Sequence, residues 1–403
     1  MLISIVKTAA VVACLALGVA PAVRAASPPT NLSDKNTEVK LTFDRASAVG
    51  NLNVYWRAVA AVKPGYYTSA QGGYTQVHFL CLSETDSTSG ACPTSSQGSG
   101  RYGSTPITLK FTERRSRISV DLIATGTITR IFSETGNPAC DSFVTSTSWA
   151  LNGAGATYCD APGRPYINGT SINVVLPSAQ LKRIPTGGEW SAQLVLNGKP
   201  WASSPPTVKW VAYIDLTVTD KGNIQAFLPQ FPTGKARVDL NLRAQPLPAA
   251  GSRVTGLATI DLCLYDGYNS NSSSFQLTFK DALPRGGRLP EQFSVVRKAD
   301  PLSPAPDQNN PSDRIDYTVE MSGPALGSGK PGVRPLVNGE TFTMTSIGDA
   351  NIRAVRIPQV ITPVVCTPTP LTLTAVPFNQ LDKRAGHYEG TLSVVFTPSS
   401  ESL

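Results

Sequence analysis

The chain has 403 residues and a net charge of +7, and only 16% of its residues are charged, well below the ~25% that is usual in globular domains. A charge this mild does not indicate a nucleic-acid partner. The one dense basic run, ERRSR at 113–117, favours a solvent-exposed strand edge over an anion-binding surface. The length corresponds to about two domains.

The first 25 residues predict a secretory signal peptide. A weakly basic start precedes an apolar run at 8–19, and residues 23–25 place small side chains at the cleavage positions. The apolar run is too short to span a bilayer as a mature helix. A lipoprotein signal through Cys14 is the alternative, and it fits less well because further apolar residues follow this cysteine.

Beyond the signal, short β-branched runs alternate with turns rich in Gly, Pro, Asn and Ser, a pattern typical of an all-β sandwich or barrel. The first series of predicted strands covers 37–44, 51–61, 74–83, 105–111, 117–124, 126–133, 171–176, 190–197 and 207–218. One helical turn is predicted at 177–184, with a proline at its start. The second series covers 223–228, 235–242, 254–265, 273–280, 314–321, 341–346, 353–358, 370–376 and 387–397.

The two series meet at TDKGN, 219–223, where Asp-Lys-Gly predicts a turn. We therefore expect a first domain over 26–220, a short linker at 221–223 and a second domain over 224–403. The short connection predicts two domains placed end to end. Because strand-like runs continue beyond it, the proline-rich stretch 299–313 is interpreted as a surface loop of the second domain.

Six cysteines follow the signal, and an even number in an exported chain indicates disulfides. Six cysteines allow 15 connectivities. The simplest joins neighbours in the sequence: Cys81–Cys92, Cys140–Cys159 and Cys263–Cys366. A zinc site is not expected, because the chain has no Cys-x-x-Cys motif and its histidines lack partners at metal-ligand spacing.

Enzyme signatures are scarce. His78 and His387 are the only histidines, and each lies in a strand-like run beside an aromatic residue, which favours a structural role over general-base catalysis. The chain has no Gly-x-Ser-x-Gly elbow, Walker loop or His-Glu-x-x-His motif. We expect no catalytic residues, no cofactor and no metal. A secreted β-sandwich hydrolase with two carboxylates brought together by the fold is the alternative.

Asn197-Gly198, within LVLNGKPW at 194–201, predicts a tight type I′ hairpin turn. Trp201, just beyond it, is suited to stack on the apolar face of a sugar with Lys199 as a polar neighbour. The alternative is a tryptophan that folds back onto its own sheet.

The stretch HYEGTLSVVFTP, 387–398, alternates like a half-buried strand. One face carries Tyr388, Gly390, Leu392, Val394 and Phe396. Because this strand lies close to the last residue of the sequence, we expect its apolar face and free edge to need cover from elsewhere.

Long stretches of the chain resemble the tip subunits of alternate chaperone–usher fimbriae, the CfaE/CblD family of tip adhesins and pilus initiators. They are FLCLSETDSTSGACP (79–93), VTDKGNIQAFLPQF (218–231), ARVDLNLR (236–243), LCLYDGYNSNSSSF (262–275) and GTLSVVFTPSS (390–400). The resemblance covers nearly the whole mature chain and all six cysteines.

The resemblance implies two immunoglobulin-like β-sandwich domains end to end: an adhesin domain that binds a host glycoconjugate or mucin, and a pilin domain that lacks its final strand. A periplasmic chaperone, and then a donor strand from the major pilin, would fill the gap beside 387–397, with an outer-membrane usher as a further partner. The protein would be exported through the periplasm to the cell surface, at the fimbrial tip.

The same resemblance points to a receptor surface at Gln76, Lys199 and Trp201. The arginines that bind receptors in well-studied members align with Gln76, Pro200 and Trp201, so the guanidinium groups are missing here. The alternative function is therefore a structural initiator of pilus assembly with no receptor binding of its own.

Overall fold

The computed structural model describes residues 33–57, 77–97, 103–134, 148–153, 166–200, 205–232, 236–247, 251–284, 286–301, 304–324, 332–358 and 360–399. The regular secondary structure of these residues is almost entirely β-strand, as predicted. The predicted signal peptide lies outside them. In the described ranges no helix combines the length and the apolar character needed to cross a membrane.

Among its described residues, the first part of the chain has eight strands and one short α-helix. They are β1 (Lys35–Asp44), β2 (Leu52–Arg57), β3 (His78–Leu80), β4 (Thr105–Glu113), β5 (Ser119–Glu134), β6 (Tyr166–Leu176), α1 (Ser178–Leu181), β7 (Gly188–Lys199) and β8 (Val208–Thr219).

Fourteen strands, most of them shorter, lie in the described residues of the second part. They are β9 (Gln225–Phe227), β10 (Arg243–Leu247), β11 (Gly251–Ile260), β12 (Cys263–Tyr265), β13 (Ser274–Asp281), β14 (Gln292–Arg297), β15 (Arg314–Gly323), β16 (Gly332–Pro335), β17 (Thr341–Thr345), β18 (Arg353–Val355), β19 (Val364–Pro368), β20 (Leu371–Asn379), β21 (Tyr388–Glu389) and β22 (Leu392–Pro398).

The strands of the first part form one eight-stranded sheet in the order β1-β8-β7-β4-β5-β6-β2, with β3 paired to β7. The sheet wraps around its core, since the indole of Trp56 on one edge strand donates a hydrogen bond to the Thr37 hydroxyl on the other, at 3.0 Å. Alternate residues point inward, and the core they form includes the fully buried rings of Trp56, Trp190 and Trp210.

The predicted hairpin turn at Asn197-Gly198 is wrong. Strand β7 continues through both residues to Lys199, and it pairs with β8 and β3 there. A Cβ on Gly198 would lie 2.5 Å from a methyl group of Val208 and 3.0 Å from the Phe79 ring. Glycine at this position therefore allows neighbouring strands to pack closely. Sequence alone does not distinguish a glycine required for such packing from a glycine in a turn.

The second part forms a seven-stranded sheet (β10-β11-β20-β15-β14-β21, with β16 on β15), a four-stranded sheet (β18-β19-β12-β9) and a three-stranded sheet (β17-β13-β22). Their inner faces share a core that includes Phe275, Phe279 and Phe293. Two predicted strands are divided here: 254–265 into β11 and β12, and 387–397 into β21 and β22.

Two of the three predicted disulfides are formed. Cys81–Cys92 spans 5.2 Å between Cα atoms. Cys263–Cys366 joins β12 to β19 with a Cα–Cα distance of 5.6 Å. Cys140 and Cys159 lie outside the described residues, so their pairing stays a prediction.

The two histidines occupy different environments. His78 is fully buried in β3, and its Nε2 lies 2.6 Å from the Ser96 hydroxyl. His387 lies in the exposed turn before β21, 4.0 Å from a Glu389 carboxylate oxygen.

The basic run at 113–117 joins the two parts of the chain, contrary to its interpretation as a solvent-exposed strand edge. The half-buried Arg115 guanidinium donates to three backbone carbonyls of the second part, those of Ile347, Gly348 and Ala350. A charged guanidinium makes stronger hydrogen bonds to carbonyl groups than a neutral donor does. Sequence could not reveal this contact, because its acceptors are backbone atoms more than 200 residues away.

Further hydrogen bonds join the two parts of the chain at this junction. The Asp220 N–H donates to the Gly267 carbonyl at 2.8 Å. The side-chain amide of Asn271 donates to the buried Glu113 carboxylate at 3.0 Å. Gly187 packs against the same loop, and a Cβ at this position would lie 2.0 Å from the Gly267 carbonyl oxygen.

Gly187→Ala should therefore disrupt the junction, because the neighbouring atom is backbone and cannot swing aside. Overpacking of this kind typically costs about 1–3 kcal/mol, which thermal unfolding would detect as a lower midpoint. Gly222→Ala, in the adjacent turn, is the matched control because a Cβ there meets nothing within 4 Å. Equal midpoints for the two variants would contradict the packing argument.

Candidate functional site

The second part of the chain has an open groove with a volume of about 410 Å³. Most of its lining is aliphatic. The lining residues are Ala226, Leu228, Ala236, Val238, Leu240, Ile260, Leu262, Val295, Tyr317, Leu371, Leu373, Gly390, Thr391, Leu392 and Val394.

One wall of the groove is a strand that changes partners. Residues 388–389 pair with β14 in the seven-stranded sheet, whereas 392–398 pair with β13 in the three-stranded sheet. Gly390 lies at the change, where a Cβ would stand 2.9 Å from the Ser294 carbonyl oxygen. Strand β22 has no strand neighbour on its other edge within the described part of the chain.

The residues predicted to line the groove divide into two sets. Gly390, Leu392 and Val394 lie in the wall, and the two aliphatic side chains stay half-buried against the core. Phe396 lies beyond the groove, with its ring edge-on to Phe275 at 4.9 Å between centroids.

Tyr388, predicted on the same face, does not line the groove. Its hydroxyl donates to the Arg384 carbonyl at 2.6 Å and lies 3.1 Å from the Ser312 carbonyl. Because the strand breaks at Gly390, the alternation that holds for β22 does not extend back to Tyr388.

The opposite wall is the segment 236–242, which carries alternating apolar residues but pairs with no described strand. Val238 and Leu240 pack on the core from this segment. Asn241 has a φ of 50°, and its side-chain amide donates to the Leu257 carbonyl at 3.2 Å. The prediction of a strand at 235–242 is therefore wrong for this structure, although the alternation was identified.

The floor of the groove is the inner face of the seven-stranded sheet. Tyr317 lies at its centre, stacked on Phe293 with 5.8 Å between ring centroids. Burial raises the pKa of the Tyr317 hydroxyl above its ordinary value of 10.0, so it stays protonated at neutral pH.

A buried ion cluster fixes the chain just before the groove wall. The Asp313 carboxylate accepts from Arg297 Nε at 2.7 Å and from Arg384 Nη1 at 2.8 Å. Burial opposes ionisation of Asp313, but the Arg297 hydrogen bond, the Asp307 N–H and the two guanidinium charges together lower its pKa below the ordinary 3.8. The cluster thereby fixes the position of Arg384, which lies four residues before Tyr388 in the sequence.

The residues predicted for receptor binding are only partly described. Lys199 is half-buried at the end of β7 and pairs in register with His78. Gln76 and Trp201 lie outside the described residues. The described part of the chain has no cluster of His, Cys, Asp and Glu that could hold a metal ion.

Known proteins match both parts of this chain. A family model for the first domain of CfaE, a subunit of the CFA/I fimbria, matches residues 21–221, and the model for the second CfaE domain matches residues 224–400. The CfaE protein of Escherichia coli is 35% identical over 349 residues, which cover 84% of this chain and 85% of that protein.

Solved structures agree. The crystal structure of CfaE, the adhesive subunit of CFA/I fimbria of enterotoxigenic Escherichia coli, matches with a TM-score of 0.71 and 28% identity, over 93% of this chain and 95% of that one. A chain from a chaperone–tip adhesin complex of CFA/I fimbriae matches with a TM-score of 0.60 and 28% identity, over 92% and 98% of the two chains.

Two β-domains in series, the second with an open apolar groove, define a two-domain protein of the fimbrial adhesin–pilin class. The two matching family models and the 35% identity to CfaE over most of both chains identify the family within this class. The chain belongs to the CfaE family of CFA/I fimbrial subunits.

The ion cluster at Asp313 should make stability depend on pH. A carboxyl whose pKa is lowered by folding stabilises the folded state above its ordinary pKa, and this contribution is lost as the pH falls from 3.8 through the lowered value. Asp313→Asn removes the charge at every pH and leaves the buried Arg297 without its carboxylate partner, which for a buried pair costs about 3–5 kcal/mol. The variant's free energy of unfolding, measured with denaturant, should be much lower than that of the unchanged protein at neutral pH. This difference should shrink below pH 4. Asp382→Asn, at an exposed position, is the control, and a deficit that stays constant down to pH 3 would contradict the assignment.

Proposed function

We propose that this protein is a minor fimbrial subunit of the pilus tip, which binds a host glycoconjugate or mucin and initiates pilus assembly by accepting a donor strand. The open groove beside β22 carries the proposal. The protein would act without catalysis, after export through the periplasm to the cell surface.

The groove has the properties that β-strand addition requires. Strand β22 offers a free edge of backbone N–H and C=O groups, and the segment 236–242 faces it with groups that no described strand uses. The floor between them is apolar. An added strand would pair with both edges and place alternate side chains on the floor.

The occupants we propose are strands from other polypeptides. A periplasmic chaperone would fill the groove first, and the N-terminal segment of a major pilin would replace it at an outer-membrane usher. Support comes from the relative solved within a chaperone–tip adhesin complex. On this proposal residues 26–220 form the adhesin domain, 221–223 the linker and 224–403 the pilin domain.

The receptor surface we propose includes Gln76, Lys199 and Trp201. The pairing of β3 with β7 supports it, because His78 and Lys199 stand opposite each other, and Gln76 and Trp201 are each two residues from them in the sequence. The similarity to CfaE, which is the adhesive subunit of its fimbria, is further support.

Supplying a donor strand should stabilise the protein. An alternating apolar strand fused through a short linker after Leu403 would cover Leu392, Val394 and the floor, and each fully buried side chain contributes about 1.5–3 kcal/mol. Thermal unfolding of the full chain should shift to higher temperature with the fused strand. An unchanged midpoint would count against donor-strand capture.

Two substitutions in one strand make this test specific. Leu392→Lys places a charge in the groove and should abolish both the stabilisation and co-purification with the chaperone. Val395→Lys is the matched control, because this side chain is 50% exposed on the other face of the same strand. If both variants behave alike, the groove is not where the strand binds.

The alternative is a structural initiator that caps and nucleates the fibre without binding a host receptor, favoured by the absence of the arginines that align with Gln76, Pro200 and Trp201. A glycan array and mucin binding with the full chain separate the two functions. For an adhesin, Trp201→Ala should lower binding several-fold and leave donor-strand stabilisation intact. No binding by the unchanged protein, with normal assembly, would establish the initiator instead.

A further inference from the structure

Tyr317 is the one polar side chain on the floor of the groove as the structure describes it. The other hydroxyl of the lining belongs to Thr391, which is exposed at the rim. Tyr317 is only 4% exposed, and aliphatic side chains such as Val295 and Leu373 surround it in the lining. A single hydroxyl in an apolar floor must be satisfied by something, because a buried polar group without a partner is costly.

Within the described residues, the Tyr317 hydroxyl makes no hydrogen bond. The residue pairs with the neighbouring strands and stacks on the Phe293 ring, and the charges of the Asp281–Arg288 ion pair act on its hydroxyl without a hydrogen bond to it. By contrast, the Tyr388 hydroxyl has two carbonyl partners. The Tyr317 hydroxyl also differs from that of Tyr265, which is fully buried without a partner. The Tyr317 hydroxyl instead borders the open groove, from which water can reach it.

A strand that seats in the groove removes this water. The backbone groups of the strand cannot replace it, since they lie in the plane of the sheet and pair sideways with β22 and with the segment 236–242. Only an inward-pointing side chain of the strand reaches the floor.

We propose that Tyr317 selects the donor strand by hydrogen bonding, so that the recognised strand carries a short oxygen-bearing side chain, serine, threonine or asparagine, at the one inward position over Tyr317. This inference rests on the proposed function and adds a polar specificity to it. The other inward positions remain apolar. Because the hydroxyl is protonated at neutral pH, it donates and the incoming oxygen accepts.

The test uses the full chain and synthetic peptides that cover β22 from end to end. The parent peptide has valine at every inward position and threonine at every outward one. In the other peptides a single serine replaces each inward valine in turn, and a matching set carries alanine. One position should bind about tenfold more tightly as serine than as alanine, equivalent to about 1.4 kcal/mol, and elsewhere serine should bind more weakly than valine.

Tyr317→Phe keeps the ring and removes the hydroxyl, so it should abolish the serine preference and leave the affinity for the parent peptide equal or higher. Tyr213→Phe, an exposed tyrosine of the first part, is the control and should leave the preference unchanged. Serine and alanine binding equally at every position would overturn the inference while donor-strand capture stands. If no peptide binds or stabilises the protein, the proposed function itself fails.

Discussion

The second domain depends on one strand that changes partners at Gly390. Tyr388 and Glu389 complete the seven-stranded sheet, and Leu392–Pro398 join the three-stranded one. The strand therefore ties two sheets together, yet one edge of β22 stays without a described neighbour. One wall of the groove and the half-buried state of Leu392 and Val394 follow from this arrangement.

The first domain contributes to the second through the junction. The loop 266–272 lies between the two parts, and the Asp266 carboxylate accepts from the N–H groups of Tyr268, Ser270 and Ser272. Burial raises the pKa of Asp266, against the pull of these hydrogen bonds. With the Arg115 contacts, this loop joins the two parts through hydrogen bonds of both backbone and side-chain groups.

The fold class and much of the site could be predicted from sequence, because period-two alternation and turn residues are local signals. The inward alternation of Leu392 and Val394 is one such case, and the pairing of Cys81 with Cys92 followed from simple proximity. Local signals failed where a distant contact decides the structure. Val238 and Leu240 alternate like a strand, but a strand also needs a neighbour, and the sequence does not say whether the neighbour is present.

Two further failures share this cause. Asn197-Gly198 has the composition of a turn, whereas Phe79 and Val208 require a glycine there for packing. The run ERRSR has the composition of a solvated surface, whereas its acceptors are carbonyls of another domain. The role of Tyr317 was also missed, because a lone tyrosine in a predicted strand carries no signal until the floor around it is known.

The parallel pairing of β1 with β8 has a consequence for the order of folding. Lys35 stands opposite Trp210 and Asp44 opposite Thr219. The first strand therefore pairs with the last strand of its own sheet, far away in the sequence. Contacts of such long sequence separation form slowly, since loop closure must be completed before they contribute. The sheet of the first domain therefore cannot be completed until β8, the strand next to the junction, is available to pair with β1.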